Sequence, residues 1–338
     1  MRVLFIGGTG IISSACTRLA AERGVELYVM NRGQSWRSIP DEVTRLVGDI
    51  RDPKSAREAI GTLDFDAVVD WVAFTPEHVE TDLELFRDSA RHYIFISSAS
   101  AYQTPPTSLP VTESTILDNP IWQYSRDKIA CEERLVRAYH EQGFPCTVVR
   151  PSHTYDCTLL PPHGGWTVVD RMRRGEPVVV HGDGASVWTL THHRDFARGL
   201  VGLLGRDDAV GESFHITSDE WLTWDRIHHI LARAAGTTAE IVHVPSQVIH
   251  DYDREWGESL LGDKTHSMIF DNSKIKRFVP DFAATIPFSQ GAEEIIAWYD
   301  ADPSRKTIDE ELNSTMNQII DDWRRVDLAR TAKAAKKT

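Results

Sequence analysis

The chain of 338 residues is poor in cysteine and has no long apolar run. Its four cysteines show neither a paired metal-ligand spacing nor the density of a disulfide framework. The apolar run after Met1 meets Gly7 at once, and no later stretch approaches the ~20 apolar residues of a membrane helix. We therefore expect a cytoplasmic protein with reduced thiols that neither crosses a membrane nor is secreted.

Basic residues are also in the minority. Lysine and arginine number 37 against 50 aspartates and glutamates, which gives a formal net charge of -13. This balance opposes a sequence-independent grip on nucleic acid phosphates, so a nucleic acid partner is disfavoured. With 41% hydrophobic residues the chain has enough apolar material for a globular core. Its length suggests roughly two domains.

Short apolar runs alternate with amphipathic stretches through the first half of the chain. The runs that predict strands are 2–6, 26–30, 43–47, 67–72, 93–97 and 145–150. Such alternation is typical of βαβ units, so we predict an α/β fold with a doubly wound parallel sheet.

After Tyr155 the alternation breaks. A strand at 178–181 and helices at 190–204, 224–235 and 291–299 follow. We predict a first domain over 1–155, to which 190–217 returns, and a smaller α/β substrate region over 156–330. Residues 331–338 are predicted to form a solvated tail.

A glycine-rich turn follows the first predicted strand directly and opens a helix. It reads Gly7-Gly8-Thr9-Gly10-Ile11-Ile12-Ser13. Glycine permits a tight turn and lets backbone N–H groups approach a pyrophosphate at the positive end of the next helix. In this context the turn predicts a dinucleotide site of the Rossmann type. Ser13 stands at the third glycine position of that pattern.

The second predicted strand ends at Asn31-Arg32, where an acidic residue would bond the ribose 2'-hydroxyl of NAD. Neutral Asn31 removes repulsion toward a 2'-phosphate, and Arg32 is able to bind that phosphate through two hydrogen bonds. The cofactor is therefore NAD or NADP, with NADP favoured. The alternative for Arg32 is a solvated loop position. Asp49 lies either near the adenine end of the cofactor or in an exposed turn.

Tyr124 and Lys128 lie four residues apart on a predicted helix, so they share one face. Ser98 follows the fifth strand, at the sheet edge where open α/β sheets bind ligands. Tyrosine is a poor base at its ordinary pKa of ~10, but a neighbouring ammonium favours the phenolate. The three side chains therefore predict a redox centre with Tyr124 as acid/base.

With these motifs the chain resembles the extended short-chain dehydrogenases/reductases, in particular their NAD-dependent epimerase/dehydratase branch. The likeness extends over the segments 7–10, 48–49, 97–102, 124–128, 150–151, 182–184 and 195–197. It implies that Ser98 bonds the reacting oxygen, and that Lys128 binds the nicotinamide ribose and lowers the pKa of Tyr124. It also implies a homodimer through helices near 79–90 and 124–140.

The resemblance completes the predicted cofactor site. The cofactor-binding residues are Gly7, Thr9, Gly10, Ile11, Asn31, Arg32, Asp49, Ile50, Ala73, Tyr124, Lys128 and Pro151. The segments 31–33, 188–192 and 270–274 resemble a bacterial subgroup that is also similar to chloroplast stem-loop-binding proteins. An RNA- or partner-binding protein on the same fold is therefore the alternative to an enzyme.

Departures from the family pattern limit the substrate. Sugar dehydratases of the family carry Asp-Glu after the catalytic hydroxyl, where this chain has Ala99 and Ser100, so dehydration is disfavoured. Trp188 replaces an arginine that holds a diphosphate, and it either stacks on the substrate or belongs to the core. His153 is either a pocket residue or a structural histidine.

We predict an oxidoreductase or epimerase that acts on a secondary alcohol of a sugar-like molecule. The predicted substrate-binding residues are Ser98, Ser100, His153, Trp188 and His192. The adjacent histidines at 192–193 and 228–229 point about 100° apart on a helix, and no acidic or thiol set completes a site. No metal is predicted.

Overall fold

The computed structural model describes residues 1–335, with side chains described through Val326. The chain divides into two compact units. The first contains Met1–Asp156, Thr189–Glu220 and Met268–Ile286, and the second contains Cys157–Trp188, Trp221–Ser267 and the chain from Pro287 on. The sequence assigned 190–217 to the first domain but left 268–286 in the substrate region. The predicted solvated tail at 331–338 lies outside the residues whose side chains are described.

A seven-stranded sheet forms the centre of the first unit, with strands and helices numbered here in chain order. Its strands are β1 (Arg2–Ile6), β2 (Glu26–Asn31), β3 (Thr44–Val47), β4 (Ala67–Asp70), β5 (Tyr93–Ile96), β6 (Cys146–Pro151) and β11 (Ser213–Ile216). Their order across the sheet is β11-β6-β5-β4-β1-β2-β3. All neighbours pair in parallel, which confirms the doubly wound α/β class. The order reverses between β1 and β4, the place where such sheets bind ligands.

Helices cover both faces of this sheet. The first face carries α1 (Ser13–Glu22), α6 (His193–Leu203) and α10 (Ser273–Phe278), and the second carries α2 (Pro53–Ile60), α3 (Pro76–Phe86) and α4 (Gln123–Gln142). Successive side chains of β1 alternate between the two cores: Val3 and Phe5 join the first, Leu4 and Ile6 the second. A strand buried on both faces is apolar along its buried length, which is why Val3, Leu4, Phe5 and Ile6 are all apolar and only the partly exposed first residue, Arg2, is charged.

Two predicted boundaries were wrong for physical reasons. Strand β4 ends at Asp70 instead of residue 72, because the Asp70 carboxylate accepts hydrogen bonds from the N–H groups of Val72 and Ala73 and turns the chain. The helix expected from residue 190 begins at His193, because β10 (Thr191–His192) pairs with β7 (Thr154–Tyr155).

The second unit contains two strand pairs and six α-helices within the described residues. Strands β8 (Val178–His181) and β13 (Ile241–Val244) pair in parallel, and β9 (Val187–Trp188) pairs antiparallel with β12 (Leu222–Thr223). The helices are α5 (Trp166–Arg174), α7 (Trp224–Ala234), α8 (Ser246–Tyr252), α9 (Arg254–Ser259), α11 (Phe288–Asp300) and α12 (Glu310–Ala335). The core that they share includes Val168, Met172, Ile249 and Met316. The predicted strand at 178–181 and the helices near 224–235 and 291–299 are confirmed.

Candidate active site

A cleft of about 660 Å³ opens at the carboxyl edge of the sheet in the first unit. Its lining includes seven of the predicted cofactor-binding residues: Gly7, Thr9, Gly10, Asn31, Arg32, Asp49 and Ile50. Lining residues that the sequence reasoning missed are Met30, Gln34, Ser35, Arg51, Val72, Phe74 and His78. Met30, Arg51, Val72 and Phe74 each adjoin a predicted residue in the sequence, which was the signal available, and Ile6 and Gly48 also line the cleft. Five predicted residues are not among the lining residues: Ile11, Ala73, Tyr124, Lys128 and Pro151.

The glycine turn has the backbone shape that its sequence indicates. Gly7 and Gly8 have φ values of +111° and +69°, and a Cβ on Gly8 would lie 2.8 Å from Val29 Cγ1. The Gly10 N–H donates to the Ser13 hydroxyl at 2.7 Å. Ser13 is thus accommodated at the third glycine position because its side chain closes the turn.

A histidine also contacts the glycine turn, at the carbonyl of the residue after Gly10. Nδ1 of His193 lies 3.1 Å from the Ile11 carbonyl oxygen. Burial lowers the pKa of His193 to about 4, so the ring is neutral at physiological pH and donates its Nδ1–H to that carbonyl. Nothing in the local sequence placed His193 beside the glycine turn.

The loop after β2 presents one arginine and anchors another. Asn31 Oδ1 accepts from the Gly33 N–H at 2.8 Å, and this turn leaves Arg32 exposed on the cleft wall. Arg37 forms an ion pair with Asp156 at 2.6 Å and donates to the Gly10 carbonyl at 3.2 Å. Arg37 therefore ties this loop to the glycine turn.

Ser98 begins a short chain of serine hydroxyls. Its Oγ lies 2.9 Å from Ser100 Oγ, and the Ser125 hydroxyl donates to Ser100 at 2.8 Å. Asn119 further holds this segment by donating to the Ser100 carbonyl at 3.0 Å. Ser125 lies between Tyr124 and Lys128 on α4, so these bonds join the segment of Ser98 to the beginning of the helix that carries the other two candidate residues.

Lys128 is buried, with 2% of its surface exposed. Its ammonium donates to the carbonyls of Ala73 at 2.7 Å and Ile96 at 2.8 Å, and lies 5.9 Å from the centroid of the Tyr124 ring. Burial lowers the pKa of Lys128 to about 8, which leaves it mostly charged at neutral pH. The Tyr124 ring is half-buried and packs on Trp122 with centroids 5.0 Å apart. A fixed positive charge therefore lies beside the candidate base.

The predicted substrate-binding residues lie in different surroundings. In the first unit, Ser100 is buried, His153 is half-buried, and His192 is buried with its Nδ1 accepting from the Arg194 N–H at 3.2 Å. In the second unit, Trp188 has 2% of its surface exposed and packs on Trp224 with ring centroids 5.8 Å apart. Their assignment to substrate binding stays a prediction.

Two features are absent from the described part of the chain. No group of three or more histidine, cysteine, aspartate or glutamate side chains there is arranged to hold a metal ion. No helix there combines the length and apolar character needed to cross a membrane.

The model of the NAD dependent epimerase/dehydratase family matches residues 3–217. The chain belongs to this family. The match spans the whole sequence from β1 to the end of β11, including the glycine turn, Ser98, Tyr124 and Lys128. Family membership makes the protein an NAD-dependent enzyme of the extended short-chain dehydrogenase/reductase type, which confirms the enzyme class and the nicotinamide cofactor.

Proteins similar to this chain include a reductase, a stem-loop binding protein and an epimerase. The 2'-dehydrokanamycin reductase of Streptomyces kanamyceticus is 26% identical over 83% of this chain and 80% of its own length. Chloroplast stem-loop binding protein of 41 kDa b from Arabidopsis thaliana is 28% identical over 72% of this chain and 65% of its own length. UDP-glucose 4-epimerase from Bifidobacterium longum, solved with NAD+ and UDP, superposes with a TM-score of 0.70 at 19% identity, covering 90% of this chain and all of that one.

Proposed function

We propose that this protein is an NADP-preferring reductase or epimerase that acts on a secondary alcohol of a sugar or sugar-like substrate. The observation that carries the proposal is the buried Lys128 ammonium, 5.9 Å from the centroid of the Tyr124 ring. A positive charge held in a low-dielectric site stabilises the phenolate of Tyr124 far more than it would in water. Tyr124 is thereby suited to take the proton of a substrate hydroxyl and return it to a carbonyl.

Ser98 complements this role as a hydrogen-bond donor to the reacting oxygen. Its Oγ accepts from the Ser100 N–H at 3.2 Å and lies 2.9 Å from the Ser100 hydroxyl. Because the Ser100 hydroxyl accepts from Ser125, its own proton is available to Ser98, and the Ser98 proton is then left for the substrate oxygen. When bound, the nicotinamide supplies or accepts the hydride at C4. A reductase releases the reduced sugar, whereas an epimerase returns the hydride to the opposite face.

The cleft fits a dinucleotide. Its volume of about 660 Å³ lies within the range of small-molecule and cofactor sites, about 300–1,000 Å³. The glycine turn lies at the beginning of α1, where a pyrophosphate is favoured by the helix dipole. Gly7, Thr9 and Gly10 would hold the pyrophosphate, and Asp49 and Ile50 the adenosine end. Gly7 also closes against Trp71 and Val72, where a Cβ would meet atoms at 3.1 and 3.3 Å.

Arg32 supports the preference for NADP. It lines the cleft, is exposed, and has no carboxylate partner among the described residues. The neutral Asn31 beside it uses its side-chain oxygen to hold Gly33, so no acidic group opposes a 2'-phosphate at this position. A guanidinium in this setting is able to make a charge-assisted contact with that phosphate.

A homodimer is proposed from the family resemblance and from the surface of α3 and α4. These helices lie side by side on the second face of the sheet, joined by an ion pair between Glu80 and Arg134. Val136 on α4 is an apolar residue with half of its surface exposed. Light scattering on the wild type and on Val136→Asp tests this, since a dimer through these helices should dissociate in the variant.

RNA binding is the second candidate, favoured by the 28% identity to the chloroplast stem-loop binding protein. The net charge of -13 works against it, because phosphate contacts supply most of the affinity for RNA. The chain also has Ser98, Tyr124 and Lys128 at the positions that the family resemblance implies, and an RNA-binding protein does not require this set. Stem-loop RNA titrated in a gel-shift assay at physiological salt is expected to remain unbound.

Tyr124→Phe tests the enzymatic proposal. The protein is incubated with NADP+ or NAD+ and a panel of sugars, aminosugars and nucleotide sugars, and both nicotinamide absorbance and sugar NMR signals are followed. The wild type should convert at least one of these alcohols. The variant should lose turnover while its NADPH affinity stays within about twofold, since only the ionisable oxygen is lost. Substantial turnover by the variant would remove Tyr124 from the mechanism.

A further inference from the structure

Two aspartates form a carboxyl pair behind the cofactor cleft. Asp70 ends β4 and Asp82 lies on α3, and both are completely buried. The Tyr93 hydroxyl donates to Asp82 Oδ2 at 2.6 Å. Asp82 Oδ1 and Asp70 Oδ2 are buried oxygens for which the described part of the chain provides no N–H or O–H donor. Burial, then the charge of Asp70 and a hydrogen bond with it, raise the pKa of Asp82 well above its ordinary value.

One proton shared between the two carboxyls explains how both are completely buried and how each has an oxygen without another donor. Two adjacent carboxylates cannot both stay ionised in a buried site, so one of them keeps a proton and donates it to the other. Asp70 Oδ1 already accepts from the N–H groups of Val72 and Ala73, the latter at 2.9 Å. Because two backbone N–H groups already donate to Asp70 Oδ1, and burial raises the pKa of Asp82, we assign the proton to Asp82.

Asp70 begins a set of contacts that hold the turn from Val72 to Phe74. While Asp70 accepts from the N–H groups of residues 72 and 73, the carbonyl of Val72 accepts from Arg51 and the carbonyl of Ala73 accepts from Lys128. The N–H of Phe74 donates to His78 Nδ1 at 3.0 Å. Side chains thus bind five successive polar groups of a turn whose Val72 and Phe74 line the cofactor cleft.

We propose that Asp70 is a positioning residue for Lys128: as the ionised member of the carboxyl pair it holds the turn whose Ala73 carbonyl binds the Lys128 ammonium, and it supplies the negative charge that keeps this buried ammonium protonated. Protonated Asp82 donates a hydrogen bond to Asp70 and so stabilises the single negative charge of the pair. The inference rests on the proposed role of Lys128 beside Tyr124.

The electrostatics around Lys128 agree with this role. Burial lowers the Lys128 pKa to about 8, while Cys131, Asp70 and Glu132, in that order, act in the opposite direction. Arg51 lowers it further, and His78 on α3 also faces the ammonium. Without the Asp70 charge, burial would lower the pKa of Lys128 further. Lys128 would then lose its proton closer to neutral pH.

The test compares Asp70→Asn with Asp82→Asn, two isosteric changes in the same pair. Lysine labelled with 13C at Cε is incorporated, the Lys128 signal is assigned with Lys128→Arg, and the signal is titrated with pH. Asp70→Asn should raise the acid dissociation constant of Lys128 by roughly tenfold, because it removes the charge. Asp82→Asn should change it by less than about twofold. Equal shifts in both variants, or no shift in Asp70→Asn, would overturn the proposal.

A second measurement does not depend on the folding of Asp70→Asn. The wild type at neutral pH should show the infrared carbonyl band of a buried protonated carboxyl, and this band should vanish in Asp82→Asn. Its absence from the wild type overturns the shared proton. A wild type that binds neither NADPH nor NADH, yet shows the expected Lys128 shift, would instead count against the proposed function and leave the carboxyl pair in place.

Discussion

The hydroxyls of Ser98 and Ser100 lie 2.9 Å apart, and Ser100 also accepts from Ser125 at 2.8 Å. Because Ser100 is buried, we expect it to act on the substrate through Ser98, by orienting the Ser98 hydroxyl. We predict that Ser100→Ala lowers kcat about 2- to 12-fold, the value of one hydrogen bond of about 0.5–1.5 kcal/mol, with KM nearly unchanged. Steady-state kinetics on the converted sugar, with exposed Ser108→Ala as control, decide this. A rise in KM at constant kcat would instead make Ser100 a substrate contact.

Arg32→Ala should weaken NADPH far more than NADH. A charge-assisted contact contributes about 1.5–3 kcal/mol, so the NADPH Kd should rise about 10- to 150-fold while the NADH Kd stays nearly constant. Isothermal titration calorimetry measures both. Arg23→Ala, at an exposed arginine outside the cleft lining, makes the same change in net charge and should leave both affinities unaltered. Equal losses for the two cofactors in Arg32→Ala would show that this side chain does not recognise the 2'-phosphate.

The stability of the fold should depend on the titration of Lys128. Its pKa is lowered from 10.5 to about 8, so the folded state penalises the charged form. This penalty is absent above pH 10.5, grows as the pH falls, and is complete below pH 8. Relative to Lys128→Met, the wild type should therefore gain about 3 kcal/mol between pH 8 and 10.5. Urea unfolding of both proteins across this range provides the measurement, and a constant difference would contradict the prediction.

UDP-glucose should bind weakly. Trp188 supplies no charge at the position where the family has an arginine. In the same unit, Arg171 donates to Asn313, Arg173 pairs with Asp300, and Arg174 pairs with Asp170 and Glu176. Loss of a diphosphate partner costs about 2–5 kcal/mol, or about 30-fold to several thousand-fold in affinity.

Calorimetric titration beside the Bifidobacterium longum enzyme measures this difference. Because Trp188 is buried, Trp188→Phe is the conservative variant for the comparison. Micromolar binding of UDP-glucose by this chain, unaltered in the variant, would contradict the prediction.

Glu132→Gln should destabilise the fold strongly. Glu132 and Arg150 form a buried pair, with Nη2 2.6 Å from Oε2 and Nε 3.0 Å from Oε1. Removing one charge leaves the other buried and uncompensated, which costs about 3–5 kcal/mol. Glu26→Gln, in the exposed pair with Arg2, should cost about 0–1 kcal/mol. Denaturant midpoints compare the two, and similar losses would rule out the buried pair as the cause.

Some features of the site could be predicted because their signals are local. A glycine turn between an apolar strand and a helix indicates where Gly7 and Gly10 lie, and the spacing of Tyr124 and Lys128 follows from helical geometry. The same rules missed His193 beside Ile11, Arg37 beside Gly10, and the return of residues 268–286 to the first unit. These contacts join segments that are far apart in the chain. The hydrophobic periodicity of a sequence reports only on neighbouring residues and cannot predict such contacts.

The amino-acid sequence by itself determined the α/β class, the family and the edge of the sheet where the cleft opens, since strand and helix periods and glycine turns are properties of neighbouring residues. Only the tertiary structure decided that Ser125 bonds Ser100, that Trp188 is buried against Trp224, and that Asp70 faces Asp82 behind Lys128. The physical reason is packing. Only when β4 packs against α3 do Asp70 and Asp82 come close enough to share one buried proton, as proposed, and to leave a single negative charge near the Lys128 ammonium.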